Sequence, residues 1–257
     1  MAMINKSGIK DKSVNNKEVV IELEHLKKTL GGNEVLKDIN LKVYRSETLI
    51  TLGKSGSGKS VTLKCIVGLM MPTDGKVNVL GEDVPNLAIK ELRGIRKKIG
   101  FIFQSGALYD SMSVRENLEF PLVRHEKLSG DEVENRVKEA LADVGLEKSI
   151  DTMPSELSGG MRKRIGLART LILKPEIMLY DEPTTGLDPA TSREISNLIL
   201  EMQDKFKVSS VIVTHDIECA KLTADRIVVL KDGVFAEEGS FDELQQSEDE
   251  FVRGFFQ

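Results

Sequence analysis

Gly53-Lys54-Ser55-Gly56-Ser57-Gly58-Lys59-Ser60 fits the phosphate-loop pattern G-x-x-x-x-G-K-[ST], and its setting decides the fold. Thr48 to Leu52, just before it, is a short apolar run of strand length. After it, Val61, Leu63, Ile66, Val67 and Leu69 recur at helical spacing, up to the turn signal Pro72-Thr73-Asp74-Gly75. Gly53, Gly56 and Gly58 let the backbone wrap closely around an anion, with N–H groups converging at the positive end of a helix. Lys59 is then placed to reach the outer phosphates of a bound nucleotide, and Ser60 to ligate Mg²⁺.

Outward from this loop, strand and helix signals alternate. Val19 to Val43 predicts two β segments around Gly31-Gly32-Asn33, and Lys76 to Leu80 and Ile99 to Phe103 predict two more, the last closed by Gln104. The texture then changes. Ser113 with Glu116, and Ser129 with Glu132, have capping-box spacing. Val133, Val137, Leu141 and Val144 follow at helical spacing, with Gly145 as a stop. Residues 106–160 therefore read as a helical lobe inserted into a sheet domain. Ser158 opens another helix, carrying Ile165, Ala168 and Ile172 inward as far as Lys174-Pro175.

Ile177 to Tyr180 is an apolar strand with Asp181-Glu182 at its exit. Asp188-Pro189 caps a further helix with Ile195, Leu198, Ile199 and Met202 on one face. Ser209 to Thr214 is a strand ending at His215, and Ile227 to Ala236 is a hairpin around Lys231-Asp232-Gly233. Strands alternating with helices imply a parallel α/β sheet with right-handed crossovers. Ligands in such sheets bind beyond the carboxyl ends of the strands, so the phosphate loop, Asp181-Glu182 and His215 should converge there.

Composition narrows the function classes. The 257 residues carry a net charge of −5, with 30% charged and 40% hydrophobic residues. That length suits one large α/β domain, residues 18–257, behind a polar, lysine-rich tail over 1–17 that reads as disordered. The acidic balance argues against a nucleic-acid partner. No apolar run approaches the roughly 20 residues that cross a bilayer, so service to a membrane requires a partner subunit. Cys65 and Cys219 lie far apart with no second ligand at metal spacing.

The chemistry concentrates in three further places. Asp181, at the strand end facing the loop, can hold Mg²⁺. Glu182 can orient and deprotonate an attacking water, a role worth roughly 10²–10⁴-fold in rate. Leu157-Ser158-Gly159-Gly160-Met161 offers a hydroxyl and free N–H groups at a helix start, suited either to a second anion site or to an ordinary glycine-containing cap.

Taken in order, the phosphate loop, Gln104, Leu157 to Met161, Asp181-Glu182, Gly186-Leu187-Asp188 and His215 resemble an ATP-binding cassette (ABC) ATPase from about residue 19 to 240. The resemblance implies a P-loop NTPase (RecA-like) core, an antiparallel β subdomain and the inserted helical subdomain at about 106–160. It implies ATP and Mg²⁺ as ligands, with nucleotide contacts from Gly53, Lys54, Ser55, Gly56, Ser57, Gly58, Lys59, Ser60 and Val61. Metal contacts would come from Ser60, Gln104 and Asp181, and catalytic roles would fall to Glu182, His215, Lys59 and Gln104. Two chains would sit head to tail, the partner's ATP meeting Ser158, Gly159 and Gly160, with Asp188 communicating across the dimer. Two positions depart from the family pattern: the signature ends in Met161 rather than Gln, and Leu30 stands where an aromatic residue commonly stacks on adenine, which leaves ATP against GTP open.

Within the family, Leu157 to Arg164, Phe103 to Tyr109, Glu119-Phe120-Pro121-Leu122 and Val252 to Phe256 are similar to the ATPase subunits of Mla-type phospholipid transporters. That subgroup works with a transmembrane permease and an MCE-domain lipid-binding protein, peripheral to the cytoplasmic face of the inner membrane. Gly106 to Glu116, beside Gln104, is the expected permease-docking stretch. The alternatives are an ATPase of another ABC system (lipoprotein, amino acid or metal complex), a soluble cassette acting on DNA or ribosomes, and a regulatory module with little turnover.

Overall fold

The fold starts from a hairpin whose turn is set by two glycines. In the computed structural model, which describes residues 18–104 and 106–256, β1 (Val19–Leu30) runs antiparallel to β2 (Asn33–Tyr44). Gly31 and Gly32 both have positive φ, +55° and +85°, the requirement of a tight two-residue hairpin turn. The expected tail, residues 1–17, lies outside the described residues.

A third strand, β4 (Asp74–Val79), pairs antiparallel with β1, and β5 (Glu82–Asp83) closes that edge. Asp74-Gly75, expected as a turn, belongs to β4. Gly75 has φ +86°, a Cβ on it would lie 2.3 Å from His25 O, and the β1–β4 register shifts between Glu24 and Lys27. The glycine signal marks an irregularity inside a strand, which sequence alone does not separate from a turn.

The second half of the sheet is parallel. β3 (Thr48–Gly53), β6 (Ile99–Ile102), β7 (Ile177–Asp181), β8 (Ser209–Thr214) and β9 (Arg226–Lys231) run the same way, and β10 (Val234–Gly239) returns antiparallel to β9. The ten described strands follow the order β5-β4-β1-β2-β10-β9-β3-β8-β7-β6. The sheet is therefore mixed: alternation implied the parallel core, and the antiparallel layer joins it where Val234 pairs with Asp38. Register aligns the exits that matter, Leu52 opposite Thr214 and Asp181 opposite Val213.

Helices cover both faces. α1 (Lys59–Ile66) and α2 (Ile89–Lys97) pack on one apolar cluster with Leu49, Leu179 and Val213; the other holds Ile50, Leu52, Met178 and Tyr180. Alternate residues of one strand thus feed opposite faces. The second cluster runs without a break through α3 (Val114–His125), α4 (Gly130–Asp143), α5 (Gly159–Leu171) and α6 (Pro189–Phe206). α7 (Ile217–Thr223), α8 (Phe241–Gln245) and α9 (Glu250–Arg253) complete the chain.

α1 ends earlier than its periodicity suggests, because Gly68 takes φ +66° and leaves Leu69 more than half exposed. α5 likewise stops at Leu171, before Lys174-Pro175. α2, α7, α8 and α9 had no sequence expectation; α2 buries only Leu92 and Ile95 among charged residues, and the other three have seven, five and four residues.

Candidate functional site

The phosphate loop takes a shape that only glycine permits at its key positions. A Cβ on Gly53 would lie 2.7 Å from Ser57 Oγ and 2.8 Å from Leu230 O. Gly56 and Gly58 have φ of +79° and +108°, and Gly58 caps α1 without a side-chain bond, leaving first-turn N–H groups free for an anion. Lys59 is buried, its ammonium donating to Gly53 O at 2.7 Å and Lys54 O at 3.1 Å, with Glu182 Oε1 at 3.6 Å.

Ser60 Oγ donates to Asp181 Oδ1 at 2.7 Å, joining the start of α1 to the exit of β7. A hydroxyl and a carboxylate are hard oxygen donors of the kind Mg²⁺ takes alongside phosphate oxygens and water. Among the described residues no cluster of three or more His, Cys, Asp or Glu could hold a metal alone. The donor set fits an ion shared with a nucleotide.

Glu182 sits one residue beyond, at φ +53°, its N–H donating to Val213 O at 2.9 Å. Thr185 Oγ1 donates to Glu182 Oε2 at 3.1 Å, and His215 Nδ1 lies 2.8 Å from the same oxygen. Lys59 from the start of α1, Thr185 from the turn after β7 and His215 from the exit of β8 thus address one carboxylate. It opens into a cleft of about 550 Å³ whose walls include Leu30, Val35, Ser60, Gln104, Glu182 and His215. Ser55, Gly56, Gly58 and Val61 also line it; Lys54 and Ser57 face the neighbouring groove beside Phe251.

Ser158, Gly159 and Gly160 lie outside this cleft. Ser158 caps α5, its Oγ accepting from Met161 N at 3.2 Å. Gly159 and Gly160 back onto Leu187 and Thr191: a Cβ on Gly160 would lie 2.7 Å from Thr191 Cγ2. Asp188 caps α6, accepting from Ala190 N and Thr191 N at 3.1 Å and from Thr191 Oγ1 at 2.6 Å. Those bonds, the Thr191 hydroxyl first, hold its carboxyl below the usual range. One chain therefore gathers the phosphate loop, Asp181, Glu182, His215 and Gln104, and leaves Ser158 and Asp188 exposed outside that cleft, with Gly160 buried behind them.

The model of the ABC transporter family matches residues 36–185, more than half of the chain. The chain belongs to the ABC transporter family. The chain is 40% identical over 237 residues to the probable ribonucleotide transport ATP-binding protein mkl of Mycobacterium tuberculosis, covering 92% of this chain and 66% of that protein. It therefore spans just under two thirds of the length of that relative. It is 36% identical over 239 residues to the intermembrane phospholipid transport system ATP-binding protein MlaF of Haemophilus influenzae, covering 91% of this chain and 90% of that protein. Among solved structures, a dimeric ATP-binding cassette in a post-hydrolysis state with ADP and Pi superposes with a TM-score of 0.78 at 36% identity, covering 86% and 98% of the two chains. Relatives at comparable identity are named for ribonucleotide, methionine and phospholipid transport.

Three residues of this ABC cassette escaped sequence reasoning. Thr185 is an undistinguished threonine until the fold turns it onto Glu182. Asp216 accepts from Thr184 Oγ1 at 2.7 Å, caps α7 through Cys219 N at 3.1 Å and donates its own N–H to Thr214 Oγ1 at 3.0 Å, fixing the chain on both sides of His215. Lys163 is 8% exposed, and burial depresses its ammonium pKa against the opposing pull of Glu182 and Asp181. A signal for it existed: Lys163 shares a helix face with Gly160, Leu167 and Leu171, so a cation falls at an inward position.

Proposed function

We propose that this cassette is the ATP-hydrolysing subunit of a bacterial lipid transporter, acting as a head-to-tail homodimer beneath a transmembrane permease and alongside an MCE-domain lipid-binding protein. The observation that carries the hydrolytic part is the Glu182 carboxylate, held by Lys59, Thr185 and His215 next to the Ser60–Asp181 pair. Ser60, Asp181 and Gln104 would hold Mg²⁺, which supplies charge neutralisation for the phosphates when bound. Glu182 orients a water and accepts its proton, His215 fixes the carboxylate, and Lys59 meets the outer phosphates. ATP is the proposed nucleotide, and aliphatic Leu30 at the cleft wall replaces a ring stack worth on the order of 1 kcal/mol.

The separate placement of Ser158, Gly159, Gly160 and Asp188 supports a site completed by a second copy. The lipid assignment draws on the stretches at 103–109, 119–122, 157–164 and 252–256, together with likeness to the phospholipid system protein over 91% of the chain. Docking of the permease falls to Gly106 to Glu116, where Tyr109 is 43% exposed, edge-on to Phe120 and beneath Arg169. Among the described residues no helix is long and apolar enough to cross a membrane. In this reading the cassette is peripheral to the cytoplasmic face of the inner membrane and is held there by the permease. The relatives named for ribonucleotide and methionine transport favour a second reading, the same ATPase beneath another permease.

A tagged Glu182→Gln variant trapped with ATP decides between them by mass spectrometry of what co-purifies from native membranes. Recovery of a permease with an MCE-type protein is expected. A different permease would replace the cargo and keep the ATPase, and recovery of soluble partners alone would remove the transporter reading.

A further inference from the structure

Helix α5 carries a buried cation that the chemistry above does not use. The Lys163 ammonium donates to two main-chain carbonyls, Gln104 O at 2.5 Å and Glu182 O at 3.4 Å. A buried ammonium is costly unless its donors are satisfied and its charge is offset, and here Glu182 and Asp181 provide the opposing charge. The same side of α5 follows the chain beyond Gln104. Three residues on, Gly166 admits the main chain of Gly106, since a Cβ there would lie 2.7 Å from Gly106 O. Three further, Arg169 donates to Ala107 O. This spacing places Lys163, Gly166 and Arg169 on one face of the helix that opens at the Ser158 cap.

We propose that Lys163 is a positioning residue for turnover, tying the backbones of Glu182 and Gln104 to the helix that begins with the Leu157-to-Met161 segment. Lys163 is buried behind the cleft and is not among the residues that line it. It acts through Glu182, whose left-handed backbone is sparsely populated for a residue with a side chain and persists only where neighbours enforce it. Displacing that backbone moves the carboxylate relative to Lys59 and Ser60 while leaving the phosphate loop intact. The loss therefore falls on kcat rather than on nucleotide affinity. This inference rests on the ATPase reading above.

The test compares Lys163→Met and Lys163→Arg in the full chain, reading ATP hydrolysis, affinity for a fluorescent ATP analogue and thermal midpoint. Lys163→Met should lower kcat about 10- to 100-fold, with KM and analogue affinity within about threefold of the parent. Lys163→Arg, which restores charge and donors, should recover most of the rate. A kcat for Lys163→Met within about twofold of the parent overturns the proposal. So do equal losses in both variants that track the thermal midpoint, the pattern of a packing role. Should Lys163→Met fail to fold, Lys163→Gln takes its place under the same criteria. The parent chain and Glu182→Gln separate the two failures: absent parental turnover, or turnover indifferent to Glu182, removes the ATPase reading and this inference with it. A silent Lys163 in an active, Glu182-dependent enzyme removes this inference alone.

Discussion

At Glu182 the main chain and the side chain are constrained separately: the backbone by Val213 and Lys163, the carboxylate by Lys59, Thr185 and His215. Replacing the carboxylate by an amide keeps the shape and removes the base. Glu182→Gln should lower kcat by roughly 10²–10⁴-fold while ATP binding, read by equilibrium fluorescence, stays near parental. The cysteines make the opposite case. Burial pushes both the Cys65 and the Cys219 thiols up to about 11, so almost no thiolate exists at neutral pH. Alkylation of the native chain at pH 7.5 should be slow at both, and fast once denaturant is added. Rapid labelling of the folded protein would contradict their burial.

Among the elements, the two helices of the inserted lobe begin with the same device. Ser113 and Ser129 each accept from the N–H three residues on, at 3.3 and 3.4 Å, and the carboxylates of Glu116 and Glu132 accept from the capping residue's N–H at 2.7 Å. Ser129→Ala should cost about 1 kcal/mol of stability, measured by urea denaturation at pH 7. The serine bonds, the backbone N–H first, hold both glutamate carboxyls below their usual value. A carboxyl depressed in the folded state stabilises fully above the unfolded value of about 4.3, and that contribution fades as pH falls through the lower folded value. The Ser129→Ala deficit should therefore shrink in acid, and a constant deficit from pH 7 to pH 3 would argue against the charged cap.

For the whole molecule, the question is how the two halves of the site meet. Within one chain the segment from Ser158 to Gly160 packs on Leu187 and Thr191 rather than on the cleft. ATP-loaded Glu182→Gln should therefore elute as a dimer by light scattering, and Lys59→Met, which cannot bind the outer phosphates, should remain a monomer. Dimerisation indifferent to nucleotide would show that the association does not run through this site. The apolar cluster joins the helices at 114–171 to the sheet, with Leu118 and Val137 continuous with Ile50 and Tyr180, and so packs the carrier of that segment onto the sheet.

What the sequence determined by itself is what local chemistry can write. A glycine-rich turn after an apolar run, serines three residues before glutamates, and an acidic pair at a strand end each act over a few residues, and each stands in the folded chain where its spacing placed it. Periodicity located most strands and the long helices, and failed at α2, α7, α8 and α9, where a charged or short helix offers few apolar repeats. Gly75 read as a turn because a positive φ has the same residue preference in a turn and in a strand irregularity. Tertiary structure alone decided the contacts between distant elements: Ser60 with Asp181 across 121 positions, His215 with Glu182 across 33, Lys163 with Gln104 across 59. No propensity encodes such pairs, because they exist only once β3, β8, β7 and β6 lie side by side with their carboxyl ends at one edge of the sheet and α5 packs beside β6.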